Sequence, residues 1–354
     1  MNRAMTPLMH PPIRDNAMSS SRITGHFQGI WVPLVTPFDD GEVDLEAAQR
    51  LAAELVASGI HGLVVCGTTG EAAMLSEREQ ALLLDAVLET VGPHFPVVMG
   101  AGGSDTRAVA ASVKRFDDHP LAGLLISAPS YVRPSQEGIL RHFQAISAAT
   151  DHSIVLYNIP ARTGINIEPA TVAELSRDTR FVAIKEAGGN VLQITDLLLN
   201  TRLDVLSGDD TLLLATLRMG GHGAMSAAAH LRPDLYVQLY ELVKTGQIAA
   251  AQELFKSLLP VIRLLFAEPN PAPVKAALAM LGKLKDELRL PMTCMSAAGK
   301  ARLFSALDDL MAIPEWHTPA EDKHHASQGW LLQLVSSSPS LVVPAGRYDD
   351  HHHN

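Results

Sequence analysis

The chain has 354 residues, 47% hydrophobic and 19% charged, which suits a folded protein with a large core and excludes a disordered one. Its net charge of −10 and pI ≈ 5.8 come with no Lys/Arg cluster, so nucleic acid and anionic membrane surfaces are not expected as partners. The two cysteines, Cys66 and Cys294, cannot build a disulfide framework or a cysteine-only zinc site, and a reduced, cytoplasmic home is expected.

Residues 1–24 are polar and proline-marked, without the apolar stretch of a secretory signal, and Met5, Met9 and Met18 are alternative starts. They are expected to be a disordered extension. No apolar run approaches the ~18 residues of a membrane span. From Ile30 onward, strand and helix patterns alternate. Residues 30–35 read as a strand, closed by the Asp39-Asp40-Gly41 turn. Asp44 caps a helix to about Ser58, and Gly59 stops it. Residues 61–65 are the second strand, and Ser76 with Glu79 forms a capping box for the next helix. Residues 96–99 are the third strand, followed by a helix from Asp105 through Phe116. Residues 123–126 are the fourth, then a helix over 135–149, the fifth strand over 153–157 and a short helix over 169–175. The sixth strand, Phe181-Val182-Ala183-Ile184-Lys185, is an apolar run bounded by Gly188-Gly189, the pattern of a buried parallel strand. Residues 203–206 and 223–226 complete the set, with a helix over 233–244 after them.

Eight strand units in roughly 220 residues predict a (β/α)₈ TIM barrel over residues 25–246. A doubly wound sheet is the alternative, but no Gly-rich nucleotide turn follows Val35. After Gly246 only helical patterns remain: 248–266, interrupted or kinked at Pro260, then 273–281 and 297–311. They predict a small C-terminal helical domain over 247–313. Residues 314–354 lack periodicity and read as a disordered tail; their runs His324-His325 and His351-His353 would bind metal only adventitiously.

Barrels of this kind carry their chemistry at the C-terminal strand ends. A lysine closing a buried strand loses hydration, which disfavours an ammonium, and a free amine attacks a carbonyl. The plain alternative is that Lys185 pairs with Glu186 and only closes its strand. The second strand ends in Gly67-Thr68-Thr69-Gly70-Glu71, whose hydroxyls and backbone N–H groups can wrap a small carboxylate. Tyr131 follows the fourth strand, Tyr157 ends the fifth with Arg162 just beyond, and Asp209 and Asp210 after the seventh read as helix caps. Amine, phenols, hydroxyl turn and guanidinium at one barrel mouth are the set that Schiff-base chemistry on an α-keto acid requires. The histidines show no H-x-x-H or H-E-x-x-H grouping on a helix, so no metal is expected. No other cofactor is expected either; Gly220-Gly221-His222-Gly223 is more simply a tight approach to the eighth strand than a phosphate cup.

The segments Gly67 to Glu71, Tyr131-Val132-Arg133-Pro134, Tyr157 to Gly164, Ile184-Lys185-Glu186, Ser207 to Asp210 and Glu268-Pro269-Asn270-Pro271 carry a close resemblance. Over roughly residues 27–312 the chain resembles the dihydrodipicolinate synthase family, within the class I pyruvate-dependent aldolases that include N-acetylneuraminate lyase. The resemblance implies that Lys185 condenses with pyruvate and that Tyr157 shuttles protons with Thr69 as relay. It implies that Tyr131 reaches into a neighbouring subunit's site, which makes the chain a homo-oligomer, a dimer at least and in the family often a tetramer. It further implies a pyruvate carboxylate cradle at Thr68 and Thr69, an Arg162 grip on the carboxylate of aspartate semialdehyde, and pocket-lining backbone at Gly208 and Met225. Neutral-sugar aldolases of the superfamily have no need of that arginine. The alternatives are another pyruvate-type aldolase or keto-acid dehydratase of the superfamily, or a non-catalytic ligand-binding barrel. Positions matching the family's lysine-inhibitor site hold Glu77, Gln80, Ser104, Ala108 and Ser130, none of them the family's inhibitor-binding residue. Weak or absent inhibition by lysine is expected.

Overall fold

The apolar runs are covered on both faces, so their backbone groups can be satisfied only by neighbouring strands. The structure, a computed structural model, describes residues 27–314. The strands are β1 (Gly29–Pro33), a small antiparallel hairpin β2 (Phe38–Asp39) and β3 (Glu42–Val43), then β4 (Gly62–Val65), β5 (Val97–Gly100), β6 (Gly123–Ser127), β7 (Ile154–Asn158), β8 (Phe181–Glu186), β9 (Asp204–Ser207) and β10 (Gly223–Met225). All but the hairpin close into one parallel barrel in the order β1-β10-β9-β8-β7-β6-β5-β4, the predicted fold class. The expectations for residues 1–24 and for the tail from 315 onward, histidine runs included, lie outside the described residues.

The helices are α1 (Leu45–Ala57), α2 (Glu77–Val91), α3 (Thr106–Val113), α4 (Gln136–Ser147), α5 (Pro160–Thr163), α6 (Pro169–Leu175), α7 (Val191–Asn200), α8 (Leu213–Arg218), α9 (Pro233–Lys244), α10 (Ile248–Leu265), α11 (Ala272–Met280) and α12 (Ala297–Met311). The predicted caps form. Asp44 accepts from the Ala47 N–H, and Ser76 and Glu79 make the reciprocal capping box that opens α2. The helix expected to reach Phe116 is α-helical only to Val113 and tightens into a 3₁₀ turn over Lys114–Phe116. Pro260 does not interrupt α10. The proline sits on the exposed side while Leu258, Val261, Ile262 and Leu265 bury the other face, and that packing outweighs one missing N–H. α5 and α7 stand where the sequence predicts no helix, and α8 follows the predicted caps at Asp209 and Asp210 by way of a 3₁₀ turn.

Inside the barrel the stack begins with Phe27 lying on Trp31 at 5.0 Å. It continues through Val64, Val98, Leu125, Val155, Ala183 and Leu206 to Tyr157 and Met225. The barrel is filled, so only its C-terminal rim is open to a ligand. Parallel register aligns Tyr157 with Lys185, and Lys185 with Leu206. Residues paired across a parallel ladder face the same side, so Tyr157 and Lys185 emerge together on the inner face.

Candidate active site

Lys185 is 5% exposed, one residue from the end of β8, and its Nζ lies 4.4 Å from the centre of the Tyr157 ring. Side chains alternate along a strand, so Glu186 turns to the opposite face. There its carboxylate accepts from Asn158 Nδ2 at 3.0 Å, Gln193 Nε2 at 3.0 Å and the Gly188 N–H at 2.7 Å. Burial pushes the Glu186 carboxyl above its usual range, and those donors pull against it. Lys185 therefore does not close its strand by pairing with Glu186. It projects instead into a cavity of about 620 Å³ at the rim.

Thr68, Thr69, Tyr157, Arg162, Lys185, Gly208 and Met225 all line this cavity. The Thr68–Thr69 turn is tightly internal: Gly70 N–H donates to Gly67 O and Glu71 N–H to Thr68 O, each at 3.1 Å. The Thr36 hydroxyl donates to Gly70 O at 2.6 Å from below. Among the described residues neither the Thr68 nor the Thr69 N–H takes part in a hydrogen bond, which leaves two donors for an anion at the rim. Arg162 is exposed on α5, a single turn set by Pro160 at its start and Gly164 at φ 77° after it.

Gly208 has a specific reason to be glycine. A Cβ there would lie 2.9 Å from Lys185 Cγ and 2.8 Å from Ala187 Cβ, so the lysine reaches the cavity across space that any side chain would fill.

Tyr131 stands apart from this set. It is 93% exposed, is absent from the cavity lining, and is held at φ 70° on a loop whose backbone donates to Thr163 O. Among the described residues no three His, Cys, Asp or Glu side chains gather as metal ligands do, and no helix is long and apolar enough to cross a membrane.

Of the two predicted caps, Asp209 is one: its carboxylate accepts from the Thr211 N–H at 2.9 Å. Asp210 is not. It is 3% exposed and accepts the Ser226 hydroxyl, which ties the end of β9 to the end of β10. Burial pushes its carboxyl up to about 6, against the pull of the Ser226 hydroxyl and of the Lys185 charge. Asn270, in the Glu268-Pro269-Asn270-Pro271 segment, is a further residue at the cavity. Its Nδ2 donates to Thr69 Oγ1 at 3.0 Å, and its carbonyl accepts from Arg162 Nη2 at 3.1 Å. One residue thus joins the hydroxyl turn to the guanidinium. A hydroxyl that accepts from Asn270 keeps its own hydrogen to donate, as a proton relay needs.

Residues 26–310 match the Dihydrodipicolinate synthetase family. The chain is 43% identical over 280 residues to the 4-hydroxy-tetrahydrodipicolinate synthase of Syntrophobacter fumaroxidans, covering 78% of this chain and 96% of that one. It superposes on a dihydrodipicolinate synthase structure from Thermotoga maritima with a TM-score of 0.79 at 36% identity, covering 80% of this chain and 99% of that one. Against the chloride-inhibited dihydrodipicolinate synthase of Acinetobacter baumannii complexed with pyruvate, the TM-score is 0.78 at 31% identity, with 81% and 99% covered. The barrel, the rim lysine and these matches lead to one conclusion: the chain belongs to the dihydrodipicolinate synthetase family.

Proposed function

We propose that this barrel condenses pyruvate with L-aspartate 4-semialdehyde to give 4-hydroxy-tetrahydrodipicolinate, through a Schiff base on Lys185. The observation that carries the reading is the buried Lys185 Nζ beside the Tyr157 ring, in a cavity that also holds two unused backbone donors and a guanidinium. Pyruvate's carboxylate sits on the Thr68 and Thr69 N–H groups, which brings its keto carbon to the amine. Lys185 Nζ attacks that carbon, and water leaves as the protonated imine forms. The imine is an electron sink, so the methyl group gives up a proton and becomes the enamine carbon.

That carbon forms the new bond to the aldehyde carbon of the second substrate, whose oxygen takes a proton. The substrate's own amine then adds to the imine carbon and expels Lys185, which closes the ring and restores the enzyme. Tyr157 and the Thr69 hydroxyl move the protons, a role supported by their lining the same cavity as Lys185. Arg162 grips the second carboxylate at the mouth, where a planar fork matches a planar anion.

Tyr131 completes the relay in a second copy of the chain; its near-complete exposure and strained backbone support an outward role rather than one in its own cavity. On this reading the chain works as a homo-oligomer, a dimer at least and a tetramer when dimers pair, in the cytoplasm. The test is borohydride reduction with pyruvate followed by peptide mapping. Label on Lys185, and product formation only with aspartate semialdehyde among aldehydes offered, is the expected result. An unlabelled Lys185 refutes it.

A further inference from the structure

Glu71 and Lys275 form an ion pair whose two side chains are wholly removed from solvent, Nζ to Oε1 at 2.7 Å, although they lie 204 residues apart. Neither lines the cavity. Such a pair is poor evidence of stability by itself, because desolvating two charges offsets their attraction. What it holds is more telling. Glu71 is the last residue of the Thr68–Thr69 turn and sits at φ 53°, a left-handed conformation that a non-glycine residue keeps only when its surroundings impose it. Its second oxygen accepts from the Arg289 N–H at 3.3 Å. Lys275, on α11, donates also to Thr36 O at 2.8 Å and stacks over the Phe38 ring at 4.2 Å. Thr36 in turn holds Gly70 through its hydroxyl. The turn is therefore tied from beneath at both Gly70 and Glu71, and both ties meet at Lys275.

We propose that the Glu71–Lys275 pair is a positioning device for the pyruvate carboxylate cradle. By holding Glu71 in its left-handed conformation, it keeps the Thr68 and Thr69 N–H groups free of internal partners and at the rim. The pair touches no substrate; both members are positioning residues. The proposal rests on the reading of that turn as the pyruvate cradle.

The test uses the full chain with three variants: Glu71→Gln, Lys275→Met, and both together. Each single variant strands one buried charge and is expected to lower the thermal midpoint. The double variant removes both charges, so its midpoint recovers toward that of the unaltered protein while the tie stays broken. Its KM for pyruvate is expected to remain raised by about ten-fold, with kcat at saturating pyruvate and KM for aspartate semialdehyde within about two-fold, the pattern of lost ground-state binding of one substrate. Borohydride trapping on Lys185 should slow at low pyruvate and recover at high pyruvate. If the double variant is stable and its pyruvate KM is unchanged, the positioning role is overturned, and likewise if KM simply follows the thermal midpoint across the three variants. If the single variants fail to fold, the double variant alone decides. Unaltered protein that traps no pyruvate overturns the cradle reading and this one together; unaltered protein that traps it, beside an indifferent double variant, overturns this one alone.

Discussion

Gly208→Ala is the substitution in which a single methyl group bears most directly on the chemistry. The new Cβ would stand 2.9 Å from Lys185 Cγ, 3.0 Å from Lys185 Cε and 2.8 Å from Ala187 Cβ, where ordinary contact begins near 3.4 Å. Cγ is close to the root of the lysine, so a rotation at the amine end cannot relieve the clash. The stem itself must swing, and the Tyr157 ring already lies 4.4 Å from Nζ. Overpacking of this kind costs about 1–3 kcal/mol. Taken up wholly in the approach of Nζ to the keto carbon, that is about 5- to 150-fold in the rate of imine formation. Gly208 has no left-handed φ, so alanine brings no backbone penalty to confuse the result. The assay is the second-order rate of borohydride-trapped pyruvate on Lys185, measured beside thermal unfolding. A variant that unfolds normally and traps pyruvate within two-fold of the unaltered rate would show that the lysine does not depend on this space.

Three further outcomes are expected. His230, His61 and His142 are each depressed by burial to about 4 from 6.5, with His61 also repelled by Lys244. The unfolded chain binds those protons first, so stability falls as pH drops from about 6.5 to 4, with roughly 3 kcal/mol at stake for fully buried His230. Asp210, raised from 3.8 to about 6, and Glu186, also raised by burial, act in the opposite sense and lose stability as pH rises; three depressed histidines outweigh two carboxyls, and calorimetry from pH 4 to 7 should show a rising midpoint. Tyr131→Phe and Lys185→Ala chains should each be nearly inactive alone and regain activity when mixed and allowed to exchange subunits; no regain would place the phenol's role, if any, within its own chain. Lysine at millimolar concentration should leave steady-state rates nearly unchanged, because Glu77 is engaged with Arg115 at 2.8 Å, the Ser104 hydroxyl donates to Ser130 O at 2.7 Å, and Ala108 offers no polar group; inhibition at low lysine would contradict this.

The barrel was legible because its strands are short apolar runs punctuated by Gly, Pro and capping residues, and those are local signals. The elements that escaped lack them. α7 reads Val-Leu-Gln-Ile-Thr-Asp-Leu-Leu-Leu-Asn and leaves Leu192 and Leu199 about three-quarters exposed, so its apolar residues mark no single buried face. α5 is a single turn of four residues and α8, legible only through its caps, has six, both too short for a periodicity to show. Pro260 raised the opposite expectation of a break, and the helix runs through it without one. The rule that proline breaks a helix is a statement about one hydrogen bond and one clash, and an amphipathic helix packed along its length can absorb both.

The site divides along the same line. That Lys185, Tyr157, Thr69 and Arg162 line one cavity was legible because each ends or follows a strand, and barrel topology alone brings strand ends together. The contacts of Asn270, Lys275 and Glu71 could not be placed the same way, because their partners lie far along the chain. Asn270 reaches back 201 residues to Thr69, and Lys275 reaches back 204 to Glu71. Both come from the segment after the barrel, at the start of α11 or just before it. On the proposed mechanism, the residues that react belong to the barrel, while those that orient them come in part from the helices that follow. It follows that changes in the C-terminal helices should alter substrate affinity and proton relay before they alter the identity of the nucleophile. A chain with Asn270 replaced by alanine should still be labelled by pyruvate at Lys185, yet turn over slowly.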